Sequence, residues 1–95
     1  MMMSDSDFVE LCKLGDARKV EEAITGGANV NAREDEGWTA LMHAAENGQV
    51  EVAEVLLSHG AELNAKSDIG MTAFMWAAQE GHAEIAGVLL KHGAK

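Results

Sequence analysis

The sequence predicts an all-α fold, a solenoid of antiparallel helix pairs joined by hairpin-like loops, and three observations support this. The stretch GWTALMHAAENGQVEVAEVLLSHG at 37–60 returns 33 positions later as GMTAFMWAAQEGHAEIAGVLLKHG at 70–93. A weaker copy comes first, with Gly15 standing 33 positions before Gly48. Each unit holds two apolar patterns of helical period separated by a glycine turn. Stacking of about three such units closes a core that one unit cannot bury alone.

Length and composition agree with one small domain. The chain has 95 residues, of which 47% are hydrophobic, and this excludes a disordered chain. We predict a single domain over residues 1–95, with repeats at approximately 4–33, 37–66 and 70–95. No proline occurs, so every backbone N–H is available to the helices.

The first repeat differs from the second on its outward face. Asp7, Lys19 and Glu22 stand where the second repeat has apolar residues. A terminal repeat needs such a polar outer surface to remain soluble. We therefore predict that the first repeat is an N-terminal cap.

The second repeat shows the helix boundaries most clearly. Thr39 is a good N-cap for a short first helix, which should run to about Gly48. A second helix with Glu51 in its first turn should end at Gly60. A polar connection of about ten residues follows, with a tight hairpin-like turn at residues 68–70.

The third repeat keeps the apolar character of an internal unit at Met75, Ile85 and Val88, and the last two stand where the first repeat has Lys19 and Glu22. This predicts an open C-terminal face. Three explanations stay open at this point: further repeats in a longer parent protein, cover by another molecule, or tolerated exposure. The second explanation includes a homodimer formed through this face.

Charge and motifs exclude several classes of function. Seven Lys and Arg against 16 Asp and Glu give a net charge of −9, which repels nucleic acid and anionic membranes. No apolar run is long enough to span a membrane and the N-terminus does not resemble a signal peptide, so we expect a cytoplasmic protein. The lone Cys12 aligns with small packing positions and agrees with a reducing compartment. No nucleophile–base pair, metal-ligand spacing or phosphate loop occurs, so we predict no enzyme activity, metal or cofactor.

The repeat resembles a known family. GWTALMHAAENG followed by VEVAEVLLSHGAELNA is similar to the ankyrin repeat, with its G-x-T-P-L-H-x-A-A-x-x-G run and later L-L-x-x-G-A. The resemblance covers roughly residues 4–95 and is highly specific in period and motif. Two departures occur: Ala40 and Ala73 replace the usual proline, and Met42 and Met75 replace the usual histidine. The Thr–His hydrogen bond of the family therefore lacks its histidine here.

The resemblance implies a non-catalytic protein-interaction module that binds a protein partner through its concave face and loop tips. The contact positions of the family correspond in the second and third repeats to Glu36, Trp38, His43, Glu46, Asn47, Asp68, Ile69, Met71, Trp76, Gln79 and Glu80, with Asp35 beside them. The first repeat adds Asp5, Glu10, Lys13 and Leu14.

This set consists of an apolar ridge, formed by Trp38, Ile69, Met71 and Trp76, among carboxylates. Such a composition suits a protein interface. Trp38 and Trp76 have a second interpretation, in which they shield the junction between repeats. Ile69 and Met71 flank a loop tip, where burial is not expected, so they favour a contact role. As a group, the carboxylates favour a basic partner.

Overall fold

The computed structural model describes residues 3–94, so residues 1, 2 and 95 of the predicted domain lie outside the described residues. This part of the chain contains six α-helices and no β-strand. They are α1 (Asp5–Lys13), α2 (Ala17–Thr25), α3 (Ala40–Asn47), α4 (Val50–Ser58), α5 (Ala73–Gln79) and α6 (Ala83–Lys91). A short 3-10 helix at Asp35–Gly37 precedes α3. The prediction of an all-α stack of helix pairs is confirmed.

The helices form two layers. Within each pair, α1 packs on α2, α3 on α4 and α5 on α6. Between pairs, α3 lies between α1 and α5 in the inner layer, and α4 lies between α2 and α6 in the outer layer. Each internal surface is thus shared by two neighbouring repeats, and the molecule is elongated, at 36 × 25 × 21 Å. A membrane span would need a longer apolar helix than any found between residues 3 and 94.

A methionine takes over the role of the missing histidine at the start of α3. Thr39 Oγ1 accepts the Met42 N–H at 3.3 Å, as an N-cap threonine should. In return, the Thr39 N–H donates to Met42 Sδ at 3.4 Å. A thioether is a weak acceptor, but it completes the reciprocal pattern of a capping box. The altered sequence of the turn therefore still gives a capped helix.

The core is continuous through all three repeats, and its apolar side chains are buried in one cluster. Asp7, Lys19 and Glu22 are exposed, in agreement with a polar first repeat. The third repeat differs from the prediction. Ile85 is 0% exposed because it faces inward to the core, so it does not lie on an open C-terminal face. Met75, at 40%, is exposed as expected.

Candidate protein-interaction face

The predicted contact residues of the second and third repeats lie on two loops and on the helices that follow them, whereas those of the first repeat, Asp5, Glu10, Lys13 and Leu14, lie in α1 or at its C-cap. We call this surface the inner face and define it as loop residues 34–38 and 67–71 with α3, α5 and the C-cap residue Glu80. Its members differ in exposure. Glu36, Asn47, Asp68, Ile69, Gln79 and Glu80 are exposed, Trp38, Glu46, Met71 and Trp76 are half-buried, and His43 is buried.

Backbone hydrogen bonds build both loops as tight hairpins, which confirms the predicted turn at 68–70. The Ser67 N–H donates to Met71 O at 2.9 Å, and the Gly70 N–H donates to Ser67 O at 2.9 Å. The two loops are also tied together, because the Asp68 N–H donates to Glu36 O at 2.9 Å. Glu36 has a φ of 67°, which a non-glycine residue adopts at a cost. The loops therefore present their tips as one connected edge.

Three rings form a stack across the second and third repeats. The ring centroids of Trp38 and His43 are 4.6 Å apart, and those of Trp38 and Trp76 are 4.5 Å apart. Both tryptophans also pack against the core. Their apolar area therefore joins the two repeats, as the second interpretation of these residues proposed, while part of each side chain stays accessible.

A chain of polar contacts runs under the inner face from the first repeat to His43. The Nε2 of His43 lies 2.5 Å from Glu34 Oε1, and Lys13 Nζ lies 3.3 Å from the same oxygen. Lys13 also pairs with Glu10 at 2.6 Å, and this contact lowers the pKa of Glu10 and raises the pKa of Lys13. His43 is 9% exposed, so its side chain supports the face from below and does not form its surface.

The stability of the fold should depend on the protonation of His43. Burial lowers the pKa of His43, although the hydrogen bond and charge of Glu34 oppose this effect. The unfolded chain therefore protonates at His43 at a higher pH than the folded chain does. As a result, the free energy of unfolding decreases as pH falls below about 6.5. We expect the free energy of unfolding in urea to decrease between pH 7.5 and 5.5.

The control for this prediction is a second histidine substitution. His43→Gln should flatten the decrease, since it removes the titrating group. His92→Gln, at an exposed position in the third repeat, should leave the decrease in place. Equal slopes for wild type and His43→Gln would show that other groups cause the dependence.

The accessible part of the inner face combines an aliphatic tip with acidic groups. Ile69 is 75% exposed at the turn of the second loop. The ion pairs found among residues 3–94 involve other carboxylates, so Glu36, Asp68 and Glu80 have no cationic partner there. Surface carboxylates without partners repel anions and attract cations over about 10 Å at ordinary salt.

Two residues that hold the face in place were missed from the sequence. Arg33 Nη1 donates to Gly37 O at 3.1 Å and to Lys66 O at 2.9 Å, so it anchors both loops. Glu34 joins His43 to Lys13, as described above. The only signal for Arg33 is that another basic residue, Lys66, stands 33 positions later. No repeat signal marks Glu34, because Ser67 occupies its equivalent position.

Cys12 is buried, and burial raises its pKa to about 12, so it is a packing residue and not a nucleophile. Between residues 3 and 94, no group of three or more His, Cys, Asp or Glu side chains is arranged to hold a metal ion.

Three known proteins are similar to about half of this chain. A segment of 54 residues is 43% identical to myotrophin from Xenopus tropicalis and covers 57% of this chain and 46% of myotrophin. A segment of 52 residues is 41% identical to the mitochondrial disaggregase of Bos taurus, covering 55% of this chain and 8% of that protein. A segment of 53 residues is 36% identical to the 2-5A-dependent ribonuclease of Mus musculus, covering 55% of this chain and 7% of that protein. The chain thus spans less than half the length of each relative.

A family model covers nearly the whole chain. The model for ankyrin repeats in three copies matches residues 8–95, a range that begins inside α1 and includes α2 to α6 and both hairpin loops. The period, the helix pairs and the loops agree with this match. The chain belongs to the ankyrin-repeat family.

Proposed function

We propose that this protein is a non-catalytic interaction module that binds a protein partner through the inner face. Ankyrin repeats as a family mediate protein–protein interaction. The observation that carries the choice of face is Ile69, an aliphatic side chain left 75% exposed at the tip of a rigid, hydrogen-bonded loop. Exposed apolar side chains on a preformed loop lose little entropy on binding, so they suit an anchor role.

Charge supports a basic partner. Glu36, Asp68 and Glu80 surround the loop tip and the end of α5 without cationic partners among the described residues. Such groups speed association with a basic surface and select against acidic ones. We further propose a cytoplasmic location, which the free, buried Cys12 supports because thiols persist in reducing compartments.

The test compares two exposed aliphatic residues on different surfaces. A peptide selected on the wild-type chain from a random displayed library serves as the partner, and its Kd is measured by calorimetry. Ile69→Ala should weaken binding about tenfold, because it removes the proposed anchor. Leu90→Ala removes a side chain that is 54% exposed in α6 and should leave Kd unchanged. Wild-type affinity in Ile69→Ala would refute the assignment of the face.

A second candidate is self-association through the third repeat, which the exposure of Met75 favours. In that case, the mass from light scattering should rise with concentration. Met75→Glu should restore the monomer, and Glu at this position can also cap α5 together with Thr72. Ile85→Glu is not suitable for this purpose, since Ile85 is buried. A monomer at all concentrations would count against this candidate.

A further inference from the structure

The same hydrogen bond joins the first repeat to the second and the second to the third. Gln49, which follows the turn of the second repeat, donates from Nε2 to Lys13 O at 3.0 Å. His82, at the equivalent position 33 residues later, lies with Nε2 2.9 Å from Glu46 O. A carbonyl can only accept, so His82 carries a proton on Nε2. The second and third repeats thus each insert a side-chain N–H donor into the turn of the repeat before them.

Turn glycines make room for these donors. A Cβ on Gly15 would lie 3.0 Å from Gln49 Nε2, and a Cβ on Gly48 would lie 2.7 Å from the ring of His82. Gly81 holds the equivalent place in the third repeat, with a φ of +75°, and a Cβ there would meet nothing within 4 Å. The donor site that is filled twice inside the chain is therefore open at the third repeat. Its acceptor, by the same spacing, is Gln79 O.

Two residues of α5, which precedes this open turn, are exposed, whereas the equivalent residues of α3, on which α5 packs, are buried. Met42 is 1% exposed, whereas its equivalent Met75 is 40% exposed. Ala45 is fully buried, whereas its equivalent Ala78 is exposed. A groove of about 250 Å³ lies here, lined by Ala77, Ala78, Gly81, His82, Ala83 and Ala86. We call this groove the third-repeat socket.

We propose that the third-repeat socket binds a helix–turn–helix segment of a partner protein whose turn carries Gln or His. The argument is continuity: the two internal interfaces show what fills this surface when it is filled, namely a helix pair that donates one side-chain hydrogen bond. An apolar segment without a donor would bury the Gln79 carbonyl against it unpaired, which costs affinity. The socket shares α5 with the inner face, but the residues that line it are not among the predicted contact residues, so the proposal does not depend on the role of that face.

A second copy of the wild-type chain is a poorer match for the socket than a partner that carries the donor, so self-association through the third repeat is the rival of this proposal. The first repeat of such a copy would present Asp16 at the donor position, and a carboxylate cannot donate to Gln79 O. Asp16 is also engaged as the cap of α2, where Oδ1 accepts the Lys19 N–H at 3.2 Å. Two sockets facing each other fit no better, because His82 already donates to Glu46 O in its own chain.

The first experiment gives this chain the face that the socket should accept. Asp7→Ala, Asp16→Gln, Lys19→Val and Glu22→Val together give the first repeat the outward residues of the second repeat. Sedimentation should then show head-to-tail association that grows with concentration, while wild type stays monomeric. Adding Ala78→Glu should abolish the association, since Ala78 lines the socket. Restoring Asp16 alone should weaken it at least tenfold.

Three results would overturn the proposal. The first is a four-substituted chain that is fully helical and stays monomeric. The second is association of that chain that either Ala78→Glu or the restored Asp16 fails to weaken. The third is a wild-type dimer that Ala78→Glu dissociates. The last would assign the socket to a second copy.

A second experiment uses a single substitution to test whether the side-chain N–H donor between two repeats stabilises their interface. Gln49→Glu replaces the N–H that meets Lys13 O with an acceptor oxygen of the same size. Hydrogen exchange should report at least tenfold more frequent opening between the first and second repeats. Gln49→His, which copies the third repeat, should stay within about threefold of wild type. Unchanged hydrogen-exchange protection in Gln49→Glu would show that the interface does not need the donor, and this would refute the proposal.

Discussion

Gly48→Ala is expected to lower the free energy of unfolding by about 3 kcal/mol. Gly48 has a φ of +69°, and a side chain in this left-handed conformation costs about 1–2 kcal/mol. The new Cβ would also lie 2.7 Å from the imidazole of His82, which is held by Glu46 O. Displacing that ring loses the hydrogen bond and strains the interface, adding about 1–2 kcal/mol. Urea unfolding followed by circular dichroism measures the sum.

Gly81→Ala is the matched control for this substitution. Gly81 has the same left-handed conformation, with a φ of +75°, but no neighbour lies within 4 Å of the new Cβ. Its cost should therefore be the conformational part alone, about 1–2 kcal/mol. The difference between the two variants isolates the contact between repeats. Equal losses would show that His82 moves away without cost.

The repeat period made much of the fold predictable. Thr39, Gly48 and Gly60 marked the ends of helices because capping and left-handed turns need particular residue types. A shift of 33 positions then gave the third repeat. Capping and turn residues that recur at a fixed spacing can be recognised in a single sequence. The structure has the helix ends at or next to each of these residues.

Some contacts that shape the inner face do not follow the period, so the period alone does not specify them. Trp38 stacks on Trp76, which is 38 positions away and not 33. Glu34 meets His43 only because the loop folds back over α3. Such contacts depend on the path of the loop and on side-chain direction, which the hydrophobic pattern does not specify. The burial of His43 was therefore beyond the repeat pattern, whereas the exposure of Ile69 at its loop tip was predicted.

The burial of Ile85 was missed for a related reason. The alignment of repeats compares residue types, and Ile85 corresponds to Lys19, an exposed residue of the first repeat, and to the buried Val52 of the second. Two structural roles thus share one position, and the pattern alone does not choose between them. In α6, the side chain faces the core of its own chain, so no fourth unit is needed to bury it.

Ile85→Ala is expected to destabilise the third repeat by about 3 kcal/mol. Ile85 is among the largest fully buried side chains, and its truncation removes apolar contact and leaves a cavity. In a repeat protein, stability is a sum of unit and interface terms, so the loss should fall first on α5 and α6. Trp76 lies in α5 and stacks on Trp38. Its fluorescence should therefore change at a lower urea concentration than the helical signal.

Ile69→Ala tests whether the effect of Ile85→Ala comes from burial, since it makes the same chemical change at an exposed position in the loop that precedes α5. Ile69 is 75% exposed, so its truncation should change stability by no more than about 0.5 kcal/mol. Coincident transitions of Trp76 fluorescence and circular dichroism in Ile85→Ala would mean that the three repeats unfold as one unit. A large loss in Ile69→Ala would mean that the loop tip is packed and cannot be the anchor for a partner. The two isoleucines thus separate the side chain that holds the third repeat from the one that is free to bind.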